Sequence, residues 1–357
     1  MLAQKIKSFQ DYLTTQSVDY LLLAGLGHEL NDSVIKYFLT TDPEYAALLI
    51  PKQGQPILFL TPFEVPEAAS KYPEFLVQAL NAPLSELLDR CLTSGSQILI
   101  RENNFPIGLY RAFEKKHTLR AADNVGKIIA IKNSAEILAM RAVVAKTDDL
   151  FNELITNWSN FKIENDGARF VKRFALEHDC KISFPPIIAS GSNAAEPHHE
   201  TSNAVLKRGF CVIDIGLEIN GYCSDLSRTV YLGTPSETEE ELYQTILASQ
   251  LAGIAEVRSG AVGANIDAVC RQSLGTWSSY FIHGLGHGVG TAVHEWPAIS
   301  VSSQAVLEPG MIVTIEPGLY QSGKCGIRIE DDVLVTKDEP EVLNQASKKL
   351  IVLPLPN

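Results

Sequence analysis

The chain has no C-x-x-C pair, no low-complexity tract and no apolar run long enough to span a bilayer. Its six cysteines (Cys91, Cys180, Cys211, Cys223, Cys270, Cys325) are scattered over 357 residues. That distribution excludes a disulfide-stapled small domain and reads as the reduced thiols of a cytosolic protein. Positive charge is also scarce: 30 Lys and Arg against 42 Asp and Glu leave a formal net charge of −12. A nucleic-acid or anionic-membrane partner is therefore not expected. The opening residues, MLAQKIKSFQDYLTTQ, lack the apolar stretch and small-residue cleavage site of a secretory leader. The expected location is the cytoplasm. What is present, 45% hydrophobic and 20% charged residues, suits an ordinary globular chain of two domains.

The first third alternates helical and strand-like patterns. Residues 2–15 have helical spacing at Leu2, Ile6, Phe9 and Leu13, and 20–23 is a short apolar run of buried-strand type. Strands are also expected at 46–50, 57–60 and 98–100, and helices at 68–80, 84–92 and 107–117. This predicts a small α/β domain over 1–122, in which His28 and His117 are surface or hydrogen-bonded structural residues rather than ligands. A linker is expected at 123–133, followed by a helix from Ser134, its N-cap, to about Trp158. From there helices at 164–179, 237–258 and 263–278 alternate with glycine-punctuated strands. Residues 134–357 thus form a second domain, which holds every chemical motif.

Five ligand-type residues follow one another there: Asp214 in VIDIGLEING, Asp225 in GYCSDLSRT, His287 in HGLGHGVG, Glu316 in TIEPGLY and Glu330 in IRIEDD. Four carboxylates and an imidazole suit a pair of divalent ions that activate water. Asn220-Gly221 is a two-residue turn signal. With Ile219 paired to Tyr222, Asp214 faces Ser227 and Asp225 faces Gly216. The two aspartates become diagonal neighbours on one face, and the missing side chain at Gly216 is expected to leave room for ions. An aspartate inside an apolar strand also needs compensation. Residues 311–316 and 326–335 read as a second hairpin, with each glutamate on the face opposite Ile315, Ile327 and Ile329. A surface pair of either glutamate with Arg328 is the competing reading.

Glycines at 284, 286, 288 and 290 make a helix around His287 improbable, so His283 and His287 are not a helical zinc pair. These glycines are expected to let backbone approach a ligand. His294 and His198, the latter in the polar loop SGSNAAEPHHE, are further candidates beside the carboxylates.

These motifs, with ASGSNAAEPHH and HGLGHGVGTAVHEWP, resemble those of the pita-bread metallopeptidases, in particular the Xaa-Pro peptidases (aminopeptidase P and prolidase). The resemblance spans nearly the whole chain. It implies an α+β fold: a C-terminal pita-bread catalytic domain preceded by a smaller creatinase-like α/β domain, commonly in a homodimer. It also implies that Asp214 holds one ion, that Asp225 and Glu330 bridge two, and that His287 and Glu316 complete the second site. The ions are expected to be Mn²⁺, with Co²⁺ or Zn²⁺ as alternatives. Glu316 would relay the proton of the attacking water, while His198 and His294 would contact substrate. The substrate is a peptide with proline in second position.

The chain departs from similar enzymes at Ser227, at GTAVHE and at Ala298, where some similar prolidases carry an arginine suited to a dipeptide's carboxylate. That last departure favours an Xaa-Pro aminopeptidase acting on longer peptides. A prolidase restricted to Xaa-Pro dipeptides is the alternative, and a non-catalytic peptide-binding homologue a further one.

Overall fold

The computed structural model describes residues 2–26, 32–41, 43–122 and 125–355; His28 lies outside the described residues. The chain divides into two compact units, Met1–Ile129 and Ala130–Asn357.

In the first unit six strands form one mixed sheet, in the order Leu76–Ala79, Ile57–Leu60, Tyr45–Pro51, Tyr20–Leu26, Gln97–Ile100, Thr118–Ala121. The central run Leu21-Leu22-Leu23-Ala24 is buried on both faces. Leu21 and Leu23 join a core with Phe9 and Phe38, while Leu22 and Ala24 join another with Leu88 and Phe113. The helix expected at 68–80 is instead a helix, Val65–Lys71, and an edge strand, Leu76–Ala79. Pro73 separates them, because proline supplies no backbone N–H and disfavours helix at the residue before it. His117 is buried against the ring of Phe113. Within the expected linker, Val125–Ala130 is helical.

In the second unit the long helix Ser134–Thr156 is capped by Asn133, not by Ser134. The Asn133 side chain accepts from the Ala135 and Glu136 amides, and Glu136 reaches back to the Asn133 amide, a reciprocal capping box. One four-stranded sheet runs Val352–Leu353, Leu226–Leu232, Gly209–Ile215, Ile187–Ser190. A five-stranded sheet runs Glu295–Ile299, Gly286–Gly288, Ile312–Ile315, Asp331–Leu334, Glu341–Val342. Helices Ser134–Thr156 and Glu164–Glu177 share a core with Ile213 and Ile215, and helices Glu237–Ala255 and Gly263–Leu274 share one with Ile315 and Ile329. Each candidate carboxylate at 214, 316 and 330 thus neighbours an isoleucine buried in a core. For Asp214, inside the strand Gly209–Ile215, alternation turns the carboxylate to the opposite face.

Candidate metal centre

The first hairpin turns at Asn220 and Gly221, both at positive φ (52° and 79°), as a two-residue turn of the strand-compatible hand requires. Ile219 pairs with Tyr222, and Asp214 with Ser227. Pairing is interrupted between Cys223 and Leu226, which frees Asp225. Its amide donates instead to Asp332 Oδ2 at 3.1 Å. The expectation for Gly216 fails in detail. A Cβ there would lie 2.1 Å from Ser183 Oγ and 2.2 Å from the Ser224 carbonyl, so the glycine admits packed protein atoms rather than ions.

The expected second hairpin is one register with a gap. Ile312–Ile315 pairs with Asp331–Leu334, and Gly318–Gln321 with Cys325–Arg328. Glu316 and Glu330 fall opposite each other in the unpaired gap between these ladders. Their amides donate elsewhere, that of Glu316 to the Leu285 carbonyl at 2.9 Å and that of Glu330 to Ser227 at 3.0 Å. The second of these bonds stitches one hairpin to the other. Three of the four carboxylates therefore sit where a ladder breaks. There the backbone is released from strict alternation.

His287 lies on the short strand Gly286–Gly288, between Glu295–Ile299 and Ile312–Ile315. The glycines beside it serve packing rather than ligand approach: a Cβ on Gly286 would meet the Thr314 carbonyl at 2.0 Å, and one on Gly288 the Trp296 carbonyl at 2.3 Å. His287 Nδ1 is 3.1 Å from the Gly288 carbonyl, which directs Nε2 to the carboxylates. Nε2 stands 3.7 Å from Asp225 Oδ2 and 3.4 Å from Glu316 Oε1. Donor atoms of Asp225, His287 and Glu330 all fall within 4.8 Å of one another. Asp214 stands apart from this trio. Its Oδ2 accepts from Arg328 Nη2 at 2.7 Å, and its Oδ1 is buried with no hydrogen-bond partner.

Such crowding is costly for anions. Burial and the neighbouring carboxylates push Asp225 and Glu330 well above the usual carboxylate range. Burial, opposed by Arg328 and reinforced by Asp214, lifts Glu316 to about 8. Burial lowers His287 to about 4, leaving a neutral imidazole ready to donate a lone pair. Crowded, buried carboxyls that resist ionising and one unpartnered Asp214 oxygen are what divalent cations would compensate. The donor set, rich in oxygen with one nitrogen, suits hard or borderline ions.

A cavity of about 680 Å³ opens over these residues. His198 and His294 are exposed on its wall, and the His294 ring lies edge-on to that of His287, 4.3 Å between centroids. Phe184, Pro185, Ile187 and Val293 add apolar surface. His283 turns instead to Tyr320 Oη at 3.0 Å and the Gly284 carbonyl at 2.7 Å.

Four supporting residues escaped sequence reasoning. Arg328 is buried, contrary to the competing surface-pair reading. Beyond Asp214 it donates to Ser227 Oγ (2.8 Å), Tyr320 Oη (2.8 Å) and the Pro197 carbonyl (3.1 Å). Thr314 Oγ1 accepts from the His287 amide at 3.0 Å and donates to Glu316 at 3.3 Å. Glu164, fully buried, holds the His198 loop through Ser190, Asn193 and His199. Lys132 forms a buried ion pair of 2.9 Å with Glu295, next to His294. Only Thr314 and Arg328, each two residues from a candidate glutamate, carried a positional signal.

The family described as Metallopeptidase family M24 matches residues 138–337. An Xaa-Pro dipeptidase from Pyrococcus horikoshii is 29% identical over 98% of this chain and 99% of its own. The structure of an Xaa-Pro dipeptidase from Bacillus anthracis superposes with a TM-score of 0.88 at 27% identity, covering 99% of this chain and 100% of that one. An X-Pro aminopeptidase from Thermotoga maritima gives 0.87 at 25% identity, covering 98% and 99%. The α+β pita-bread architecture with its smaller N-terminal α/β unit follows from these similarities.

Proposed function

The chain belongs to metallopeptidase family M24, and from that premise we propose that it is a two-metal Xaa-Pro dipeptidase, a prolidase. The observation that carries this reading is the convergence of Asp225, His287 and Glu330, with Glu316 3.4 Å from His287, on one cavity. Asp214 would hold one ion, Asp225 and Glu330 both, and His287 and Glu316 the second. The bound cations supply Lewis acidity and bring the pKa of water near neutrality. Mn²⁺ is the ion this oxygen-rich set favours, with Co²⁺ or Zn²⁺ as alternatives.

Each further role falls to a side chain. Glu316 takes the proton of the attacking water on its carboxylate and relays it. His294 hydrogen-bonds the carbonyl oxygen as charge develops there. His198 brings a proton to the proline nitrogen, which leaves poorly until protonated. The α-amine of the substrate sits among the carboxylates, which makes the enzyme an exopeptidase.

Sequence alone favours an aminopeptidase, on the absence of an arginine at 298. The whole-length similarity to Xaa-Pro dipeptidases reverses that order. Ala298, exposed, pairs across the sheet with His287. The lack of a cation there, together with the likeness to an X-Pro aminopeptidase, keeps cleavage of longer peptides as the second reading. We place the enzyme in the cytoplasm on its scattered cysteines, which form no C-x-x-C pair; separately, among the described residues no helix is long and apolar enough to cross a membrane. A homodimer belongs to the same proposal.

A panel of Xaa-Pro, Xaa-Pro-Yaa and Met-Yaa peptides, run with Mn²⁺, Co²⁺ or Zn²⁺ after chelation, tests this. Fastest cleavage of Xaa-Pro is expected. Equal or faster cleavage of Xaa-Pro-Yaa would establish the aminopeptidase reading, and preference for Met-Yaa would overturn both.

A further inference from the structure

The cavity floor is lined by carboxylates, and a substrate that brings its own carboxylate to such a site needs a cation to meet it. Among the described residues, two lysine or arginine side chains lie on the wall, Arg328 and Lys172. Arg328 is fully engaged with Asp214, Ser227, Tyr320 and Pro197. Among the histidines, His199 is held between Glu164 and Glu196, and His283 between Tyr320 and Gly284. His198 and His294 are the groups assigned above to the scissile bond.

Lys172 differs from all of these. It is exposed on helix Glu164–Glu177, which presents Asn165, Ala168 and Lys172 to the cavity with the i, i+3, i+7 spacing of one helix face. The other cations on this face region have carboxylate partners: Arg169 is 3.1 Å from Asp166 and Arg173 is 3.7 Å from Glu177. Lys172 has Ala168, Arg169, Ala175 and Leu176 at i±3 and i±4, none of them acidic, and makes no ion pair or hydrogen bond among the described residues. An unmatched ammonium on a surface is common. One set on the wall of an acid-floored cavity is complementary to a substrate with an amine at one end and a carboxylate at the other.

We propose that Lys172 binds the C-terminal carboxylate of the Xaa-Pro dipeptide and so sets the peptide length the site prefers. This assignment rests on the dipeptidase reading and supplies the cation missing at Ala298. An extended dipeptide spans roughly 7 Å, which a cavity of about 680 Å³ accommodates. A lysine offers a point charge rather than the bidentate fork of arginine, so it gives a preference for free carboxylates rather than absolute exclusion of longer peptides.

The test compares Leu-Pro with Leu-Pro-amide, which differ in that carboxylate alone, using the full-length Mn²⁺-loaded protein. Wild type is expected to show the lower KM for Leu-Pro. Lys172→Ala should raise KM for Leu-Pro about tenfold with kcat largely kept and Leu-Pro-amide unaffected, while Lys172→Arg retains most of the preference. Inhibition by the product L-proline should weaken in parallel, and inhibition by prolinamide should not. If wild type prefers Leu-Pro and Lys172→Ala keeps that preference, the Lys172 assignment falls and the dipeptidase reading stands. If wild type does not distinguish the two substrates, the dipeptidase reading fails and the assignment with it. An equal loss on both substrates in Lys172→Ala also overturns the assignment.

Discussion

Arg328 Nη2 donates to Asp214 Oδ2 across 2.7 Å and joins the two carboxylate-bearing hairpins at the centre of the site. The guanidinium is buried and offsets part of the charge of Asp214, Glu316 and Glu330. Arg328→Met keeps the bulk but leaves Asp214 uncompensated, which costs about 3–5 kcal/mol for a buried pair broken on one side. Urea unfolding of the chelated protein is expected to show a loss of that size, with part of it restored by Mn²⁺. A chelated variant as stable as wild type would contradict this account of Arg328.

The crowded carboxyls make stability and metal uptake depend on pH in a definite direction. Glu316 is lifted from an ordinary 4.5 to about 8 when no cation is bound, and Asp225 and Glu330 shift the same way. A carboxyl with a raised native pKa keeps its proton in the folded state where the unfolded chain has lost it, so the native advantage falls as pH rises. The chelated protein should lose stability from about pH 4.5 to about 8. Metal uptake must release these protons and so tightens with pH over the same interval. His287, at about 4, is already neutral and contributes none. Calorimetry of Mn²⁺ binding in buffers of different ionisation enthalpy reads the protons directly. Proton-neutral uptake near pH 6 is the result that would refute the raised values.

Thr314 ties two candidate ligands to one hydroxyl, through the His287 amide and Glu316 Oε1. Thr314→Val leaves that partly buried amide without an acceptor, a loss of about 1–3 kcal/mol, and frees the Glu316 carboxylate to rotate. We expect kcat to fall about tenfold with KM nearly constant, whereas Glu316→Gln, which would remove the proposed proton acceptor, should lower kcat by about 10²–10⁴. Steady-state kinetics of the two variants should rank them in that order. The reverse order would remove Glu316 from proton transfer.

Glu164 and His199 act on the loop that carries His198. The His199 ring lies 2.9 Å from Glu164 and 3.2 Å from Glu196. Burial disfavours its charge, but the two carboxylates outweigh that and raise its pKa. A histidine raised in the native state stabilises most below its unfolded pKa, and that contribution disappears as pH rises through the folded value. The stability difference between wild type and His199→Gln should therefore be largest at acidic pH and shrink on the alkaline side. Paired thermal melts across pH check it. A difference that grows with pH would mean that His199 is held neutral.

The sequence exposed the features that depend on local pattern. The Asn220-Gly221 turn set the pairing of Asp214 with Ser227, because a two-residue turn leaves one register. Continuous apolar runs such as 20–23 announced strands buried on both faces. Features that depend on distant packing were not visible. The edge strand Leu76–Ala79 has too little burial to show a pattern, and the gap that releases Glu316 and Glu330 arises because their amides find acceptors at Leu285 and Ser227. The glycines at 216, 286 and 288 signalled close approach, but only tertiary structure shows that protein atoms fill the space. At the level of sequence Arg328 enters only through the competing surface-pair reading, since nothing local says that its guanidinium turns inward to Asp214.

The central proposal is that Asp214, Asp225, His287, Glu316 and Glu330 would hold divalent cations for hydrolysis of the bond before proline. Metal analysis of the purified protein, paired with hydrolysis of Leu-Pro before and after chelation, tests it most directly. The account predicts about two divalent ions per chain, loss of Leu-Pro cleavage on chelation, recovery with Mn²⁺, and loss of both metal and activity in Asp225→Asn. Full cleavage of Leu-Pro by metal-free protein, or by Asp225→Asn, would contradict it.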